Sequence, residues 1–217
     1  MNKLRHILFD FDDTLVHTFE KSYALHTEIA REMGAFVPSR EEFKAVSHRP
    51  WEHMIEHFWP GEHERFRNAF IPNNRLRTSI MPELVDGALA TLELLRGMYG
   101  IHLLTHRDGN SLAQALEALK LKDYFATIHP LESLPSHKPH PAVFGNVLKK
   151  LDGACLYVGD GIADFQAARG AGIGFAGVLT GATNREDFLS AGLEAGRIIK
   201  SVKYLPSFLK GRIEVER

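Results

Sequence analysis

The chain has 217 residues, 44% of them hydrophobic and 24% charged, with a net charge of −1, enough for one domain or two small ones around a real core. Basic and acidic residues balance at 26 against 27, so no broad basic footprint marks a nucleic-acid partner. One cysteine, Cys155, excludes a disulfide scaffold and a cysteine metal cage, and no apolar run has the roughly 20 residues of a membrane helix or the character of a signal peptide. The expectation is a cytoplasmic globular protein, monomer or homodimer, with no membrane and no nucleic acid among its partners.

In chain order, the first signal is Ile7-Leu8-Phe9, a short apolar run that ends at Asp10. Similar runs end at Thr105 (Ile101 onward) and at Asp160 (Cys155 onward), and later ones lie at 126–128, 173–179 and 197–199. Short apolar runs bounded by turn signals predict buried parallel strands. Between them, apolar residues recur at helical spacing over 83–98, 110–121, 141–151 and 163–171. Alternating strand and helix predicts an α/β Rossmann-like parallel-sheet core. Residues 17–81 break the alternation. They contain helical segments at 19–33, 41–46, 51–58 and 62–70, punctuated by Pro38, Pro50, Pro60 and Pro72, and all nine acidic residues there are Glu. Glu suits helix interiors where Asp suits turns, so the expectation is an all-helical domain at 17–81 inserted into a core of 1–16 and 82–217.

In open α/β sheets, ligands bind outside the carboxyl ends of the strands. Those ends carry Asp10, Thr105 and Asp160, with Asp12 and Asp164 close behind. Four carboxylates in one crevice repel unless a cation sits among them. Hard oxygen ligands without a His or Cys pattern point to Mg²⁺. With a Thr hydroxyl and Lys138, in a proline-bounded loop, this is equipment for phosphoryl transfer. Taken singly, Asp12-Asp13-Thr14 is an ordinary turn, Asp164 an ordinary helix-start charge and Lys138 an ordinary loop lysine; their convergence is what makes a site. Other motifs fail on context. His53-Met-Ile-Glu56-His57 has a zinc-like spacing but no evident third ligand. Gly172 to Gly177 matches G-x-G-x-x-G but leads from a helix into a strand, the reverse of a dinucleotide fingerprint.

Asp10-Phe11-Asp12-Asp13-Thr14-Leu15, Thr105, Lys138 and Gly159-Asp160-Gly-Ile-Ala-Asp164 occur in the order and spacing of the four motifs of the haloacid dehalogenase-like superfamily, which the chain resembles over nearly everything outside 17–81. Within it the chain looks most like the phosphoglycolate phosphatase-like branch with a helical cap. The resemblance implies a phosphatase acting on a small phosphorylated metabolite, with Asp10 as nucleophile, Asp12 as acid and then base, and Thr105 and Lys138 on the phosphoryl group. Asp10, the Asp12 carbonyl and Asp160 would hold Mg²⁺, with Asp164 behind them. Phe11, Thr14, His106 and Arg107 in the motif loops, His17 at the core–cap junction, and His48 and Arg49 in the cap are candidate substrate contacts. Two positions depart from the branch pattern: Asp13, where Gly is common, and His17, where an acidic residue is usual. A phosphosugar mutase and a regulatory protein without turnover are the rival readings.

Overall fold

The structure is a computed structural model that describes residues 3–47, 51–70 and 82–215. It divides into two units, Met1–His17 with Leu84–Arg217, and Thr18–Glu83.

The first unit is built on a six-stranded sheet. Strands β1 (Leu4–Phe9), β4 (Gly100–Leu104), β5 (Thr127–His129), β6 (Ala154–Gly159), β7 (Gly174–Val178) and β8 (Ile198–Ile199) lie in the order β5-β4-β1-β6-β7-β8, all parallel. The two-residue strands β2 (Val16–His17) and β3 (Glu83–Leu84) pair separately. The order reverses direction at β1, so the crevice beyond its carboxyl end is the position where such sheets bind ligands.

Period-two alternation sorts the strand residues onto two faces. Ile7, Phe9, Ile101, Leu103, Leu156, Val158, Ala176 and Val178 enter one buried cluster. Leu8, Leu104, Cys155, Tyr157 and Phe175 enter the other. Both faces are covered, which is why these strands read as continuous apolar runs.

The second unit contains α1 (Phe19–Glu32), α2 (Arg40–Val46), α3 (Trp51–Phe58) and α4 (His63–Phe70). Ser39 and Glu42 form a reciprocal capping box at the start of α2. Its core gathers Leu25, Ile29, Phe43, Ile55, Trp59 and Phe66, with Trp59 stacked on Phe66 at 4.2 Å between ring centroids. Trp59 is buried, and Trp51 and Phe58 pack against the same cluster.

Two elements differ from the sequence expectation. The helix expected over 83–98 is α5 (Ala88–Arg96); Leu84 is spent on β3, and Gly87, at φ 76°, turns the chain before the helix begins. Residues 141–151 form a 3₁₀ turn (Pro141–Phe144) and a short helix rather than one long helix. A further helix, Leu205–Val215, carries Pro206 in its first turn, a position that suits proline. The helices expected over 110–121 and 163–171 are present as α6 (Gly109–Ala118) and α8 (Ile162–Gly170), the short helix Gly145–Leu148 between them being α7.

Much of the histidine content is structural. His6 Nδ1 lies 3.1 Å from His102 Nε2, His102 Nδ1 lies 2.8 Å from Thr127 Oγ1, and Thr127 Oγ1 lies 2.8 Å from His129 Nε2. At the near end, His6 Nε2 meets the Asp152 carbonyl at 3.0 Å. A single hydrogen-bond direction satisfies the whole row with every imidazole neutral: His6 donates to Asp152, His102 to His6, Thr127 to His102 and His129 to Thr127. Gly100 makes room for it, since a Cβ there would lie 2.5 Å from His6 Nδ1. Burial, with His6 and His129 alongside, pushes His102 down to about 4. In the helical unit, Trp51 Nε1 donates to His26 Nε2 (3.2 Å) and His26 Nδ1 donates to the Ser22 carbonyl (2.7 Å); burial pushes His26 down to about 4 as well.

A histidine held neutral in the fold titrates near 6.5 when unfolded, so the unfolded chain binds the extra proton first. Its stabilisation is complete above pH 6.5 and is lost as pH falls towards 4, at up to about 1.4 kcal/mol per pH unit. Urea unfolding of wild type and His26→Gln between pH 7 and 4.5 checks this. The difference between the two proteins isolates His26, and it should shrink steadily with falling pH; a pH-independent difference contradicts it.

Candidate active site

Three neighbouring strands deliver the candidate site. β1 runs into Asp10, β4 into Thr105 and β6 into Gly159 and Asp160. A fourth contribution comes from the loop before Pro141, whose Lys138–Pro139 peptide is cis. The fifth is the first turn of α8, where Asp164 accepts the Gly161 N–H at 3.0 Å, a position in which a helix favours negative charge.

Lys138 is the hub. Its Nζ lies 2.8 Å from Asp10 Oδ1 and 2.7 Å from Asp164 Oδ1, with only 6% of the lysine side chain exposed. Burial opposes the charge on Lys138, but Asp10 and Asp164 outweigh it and hold the ammonium above its ordinary range. Lys138 also sits 5.3 Å from the centroid of the Tyr157 ring. The Tyr157 hydroxyl, fully buried, donates towards the Leu104 carbonyl (3.1 Å) and Asp164 Oδ1 (3.3 Å). Strand alternation alone did not single out Tyr157; the signal was a phenol in a buried strand, where its hydroxyl must find a partner.

The carboxylates are crowded. Oxygens of Asp10, Asp160 and Asp164 all lie within 4.8 Å of one another, the one such grouping of possible ligands among the described residues. His53, Glu56 and His57 form none. Burial, with Asp164 and Asp12 nearby, pushes Asp10 up to about 7 although Lys138 pulls it back. Burial and the neighbouring Asp164, Asp10 and Asp13 drive Asp160 well above the usual carboxylate range. A single ammonium therefore leaves negative charge uncompensated, and the all-oxygen donor set fits a hard divalent cation. Two glycines permit the crowding: a Cβ on Gly159 would lie 2.6 Å from Asp164 Oδ2, and one on Gly181 would run into the Asp160 carboxylate.

The remaining candidates sort by what they touch. Thr105 is buried and its Oγ1 accepts the Arg107 N–H at 3.1 Å. The His106 Nε2 accepts the Lys138 N–H at 3.0 Å, so this ring shapes the lysine loop; burial and the Lys138 charge push it down to about 3. Asp12 meets the Arg107 guanidinium, with Nε 3.1 Å from both oxygens. Thr14 is buried, with Oγ1 3.5 Å from Asp160 Oδ1. The Phe11 side chain is core, and its carbonyl accepts the Leu15 N–H at 2.9 Å. Asp13 has φ 54°, a left-handed conformation that glycine adopts freely and aspartate tolerates; this is the physical reason for a glycine preference there. Thr180, not foreseen, donates to the Asp13 carbonyl at 2.5 Å. His17 is exposed on β2. His48 and Arg49 lie outside the described residues.

The chain belongs to the haloacid dehalogenase-like hydrolases, whose family model matches residues 7–178. Among curated relatives, it is 29% identical to "Phosphoglycolate phosphatase 1" of Pseudomonas aeruginosa over 82% of this chain and 70% of that protein. Among solved structures it superposes with a TM-score of 0.82 on a Haemophilus somnus protein named as a predicted phosphoglycolate phosphatase, at 19% identity over 95% of this chain and 98% of the other. It superposes with a TM-score of 0.73 on a Thermotoga maritima protein provisionally named a β-phosphoglucomutase, at 18% identity over 96% and 99%. Identities this low place the fold, not the substrate.

Removing the ammonium from this cluster leaves buried carboxylates unpaired, a loss of about 3–5 kcal/mol for a broken buried pair. Lys138→Met should therefore unfold at markedly lower urea than wild type in a chelating buffer. A change within about 0.5 kcal/mol would show that the lysine is not what holds the carboxylates together.

Proposed function

We propose that this protein is a magnesium-dependent phosphatase that hydrolyses a small phosphomonoester, phosphoglycolate or an organic phosphate like it, through an aspartyl-phosphate on Asp10. The observation that carries the reading is the placement of Asp10 beyond the strand order's reversal, in reach of Lys138 and crowded by Asp160 and Asp164. The family and its phosphoglycolate phosphatase relatives support it.

A carboxylate nucleophile needs no proton removed before it attacks. Lys138 binds Asp10 Oδ1 and so holds that oxygen in place, leaving the other free to attack. An Asp10 oxygen forms the new bond to phosphorus as the bond from phosphorus to the leaving oxygen breaks, and Asp12 gives that oxygen its proton. Asp12 then takes a proton from water, whose oxygen attacks the same phosphorus, the Asp10 bond breaks, and inorganic phosphate leaves. Asp10, the Asp12 carbonyl and Asp160 would hold Mg²⁺, with Asp164 behind them; when bound, the ion would offset the charge on the phosphoryl oxygens. Asp164, already engaged by Lys138, Tyr157 and the Gly161 N–H, serves this arrangement by bracing it. Thr105 and Lys138 would meet the phosphoryl group, helped by N–H groups near Phe11 and His106. His17 and the cap residues His48 and Arg49 are proposed to meet the rest of the substrate.

The experiment is phosphate release from a panel of esters that includes 2-phosphoglycolate, a hexose phosphate and p-nitrophenyl phosphate, with Mg²⁺ or with EDTA. Turnover should require Mg²⁺, and Asp10→Asn should lower it by on the order of 10³-fold or more while leaving the fold intact. Metal-independent turnover, or an Asp10→Asn variant that keeps its rate, contradicts the reading. An isomerised sugar phosphate without release of phosphate would instead identify a mutase.

A further inference from the structure

Arg107 stands two residues after Thr105 in the loop that leaves β4. Its guanidinium engages Asp12. Nε is 3.1 Å from both oxygens of Asp12, and Nη2 is 2.5 Å from Asp12 Oδ1. Only 13% of the arginine side chain is exposed, against 32% for Asp12. The guanidinium carbon lies 5.5 Å from the centroid of the Phe11 ring, which limits where the group can go. The Arg107 N–H is tied to Thr105 Oγ1 at 3.1 Å, so one loop sets both residues.

Asp12 needs such a partner. It follows the buried Asp10 by two residues and precedes Asp13, so its neighbours along the chain repel a carboxylate. A short side chain at the edge of the site could turn towards water and away from the reacting centre. A guanidinium fork that engages both oxygens fixes the carboxylate's plane as well as its position, which an ammonium cannot do. We infer that Arg107 is a positioning residue for Asp12: it acts on the reaction by holding the proton-transferring carboxylate in place, and not by gripping the substrate. This rests on the proposed role of Asp12 in proton transfer.

The consequence is selective. Leaving-group protonation matters for an alkyl ester and little for an activated nitrophenyl ester. Misplacing the acid by about 1 Å costs on the order of 10²-fold. A residue that works only through Asp12 loses its effect once Asp12 can no longer transfer a proton, whereas a substrate contact keeps its effect.

The test is a double-mutant cycle of Arg107→Ala and Asp12→Asn, read as kcat/KM for 2-phosphoglycolate and for p-nitrophenyl phosphate with Mg²⁺, with Arg107→Lys as a second variant that keeps the charge. Arg107→Ala should lower kcat/KM for the alkyl ester by about 10–100-fold and for the nitrophenyl ester by much less. In the Asp12→Asn background the same change should cost less than about twofold. Arg107→Lys should fold as wild type and recover only part of the alkyl-ester rate, because it restores charge without the fork; it carries the same cycle if the alanine variant does not fold. Losses that add in the two backgrounds, or that fall equally on both esters with a raised KM, overturn the inference and make Arg107 a substrate contact, while the phosphatase reading stands. A wild-type protein inert towards every ester, or an Asp12→Asn variant with undiminished alkyl-ester turnover, overturns the underlying reading, and the inference falls with it.

Discussion

Three carboxylates and one ammonium share a small, largely water-free space where β1, β4 and β6 end, and much of the site's architecture follows from that crowding. Lys138 reaches Asp10 and Asp164 at hydrogen-bond distance. It cannot compensate Asp160 as well, and both Asp10 and Asp160 are driven towards their protonated forms. The arrangement costs stability in the free protein, as buried and imperfectly paired charge generally does. Such a cost is retained where function requires it. A cation is the partner that would relieve it.

The surrounding structure keeps this cluster from collapsing. Gly159 and Gly181 let the carboxylates approach. Tyr157 and the Gly161 N–H hold Asp164, and His106 anchors the main chain of the lysine loop. Arg107 performs the corresponding task for Asp12, and Thr180 for the turn at Asp13. The parallel sheet supplies the frame: its two covered faces fix the strands, so Asp10, Lys138, Asp160 and Asp164 meet within a few ångströms. The helical unit has its own aromatic core around Phe43, Trp59 and Phe66.

Much of this was legible in the sequence. Apolar runs ending in Asp10, Thr105 and Asp160 mark strands whose carboxyl ends converge, because burial on both faces demands continuous apolar residues. The absence of Asp from 17–81 agrees with its helices. The rest was hidden for physical reasons. Two-residue strands such as β2 and β3 are too short to carry a period. Pro206 is read as a breaker or as a helix start only once the chain around it is placed. Tyr157, Gly181 and Thr180 act through contacts between segments far apart in sequence. The same holds for the row of His6, His102 and His129, which no linear pattern announces although it accounts for a quarter of the twelve histidines. Arg107 was visible as a motif-loop residue, but its partner was not.

The central claim is that the carboxylate cluster is built to be completed by a divalent cation. Thermal unfolding of wild type and Asp160→Asn, each in EDTA and in excess Mg²⁺, tests it without reference to any substrate. In EDTA the asparagine variant should unfold at the higher temperature, because one member of a repelling set has been neutralised. Saturating Mg²⁺ should raise wild type by several degrees, as a ligand present at about 100 times its Kd adds about 2.7 kcal/mol, and should raise the variant far less, so that the order reverses. Unfolding temperatures that ignore Mg²⁺ in wild type, or an Asp160→Asn variant that is the less stable protein in EDTA, would contradict the account.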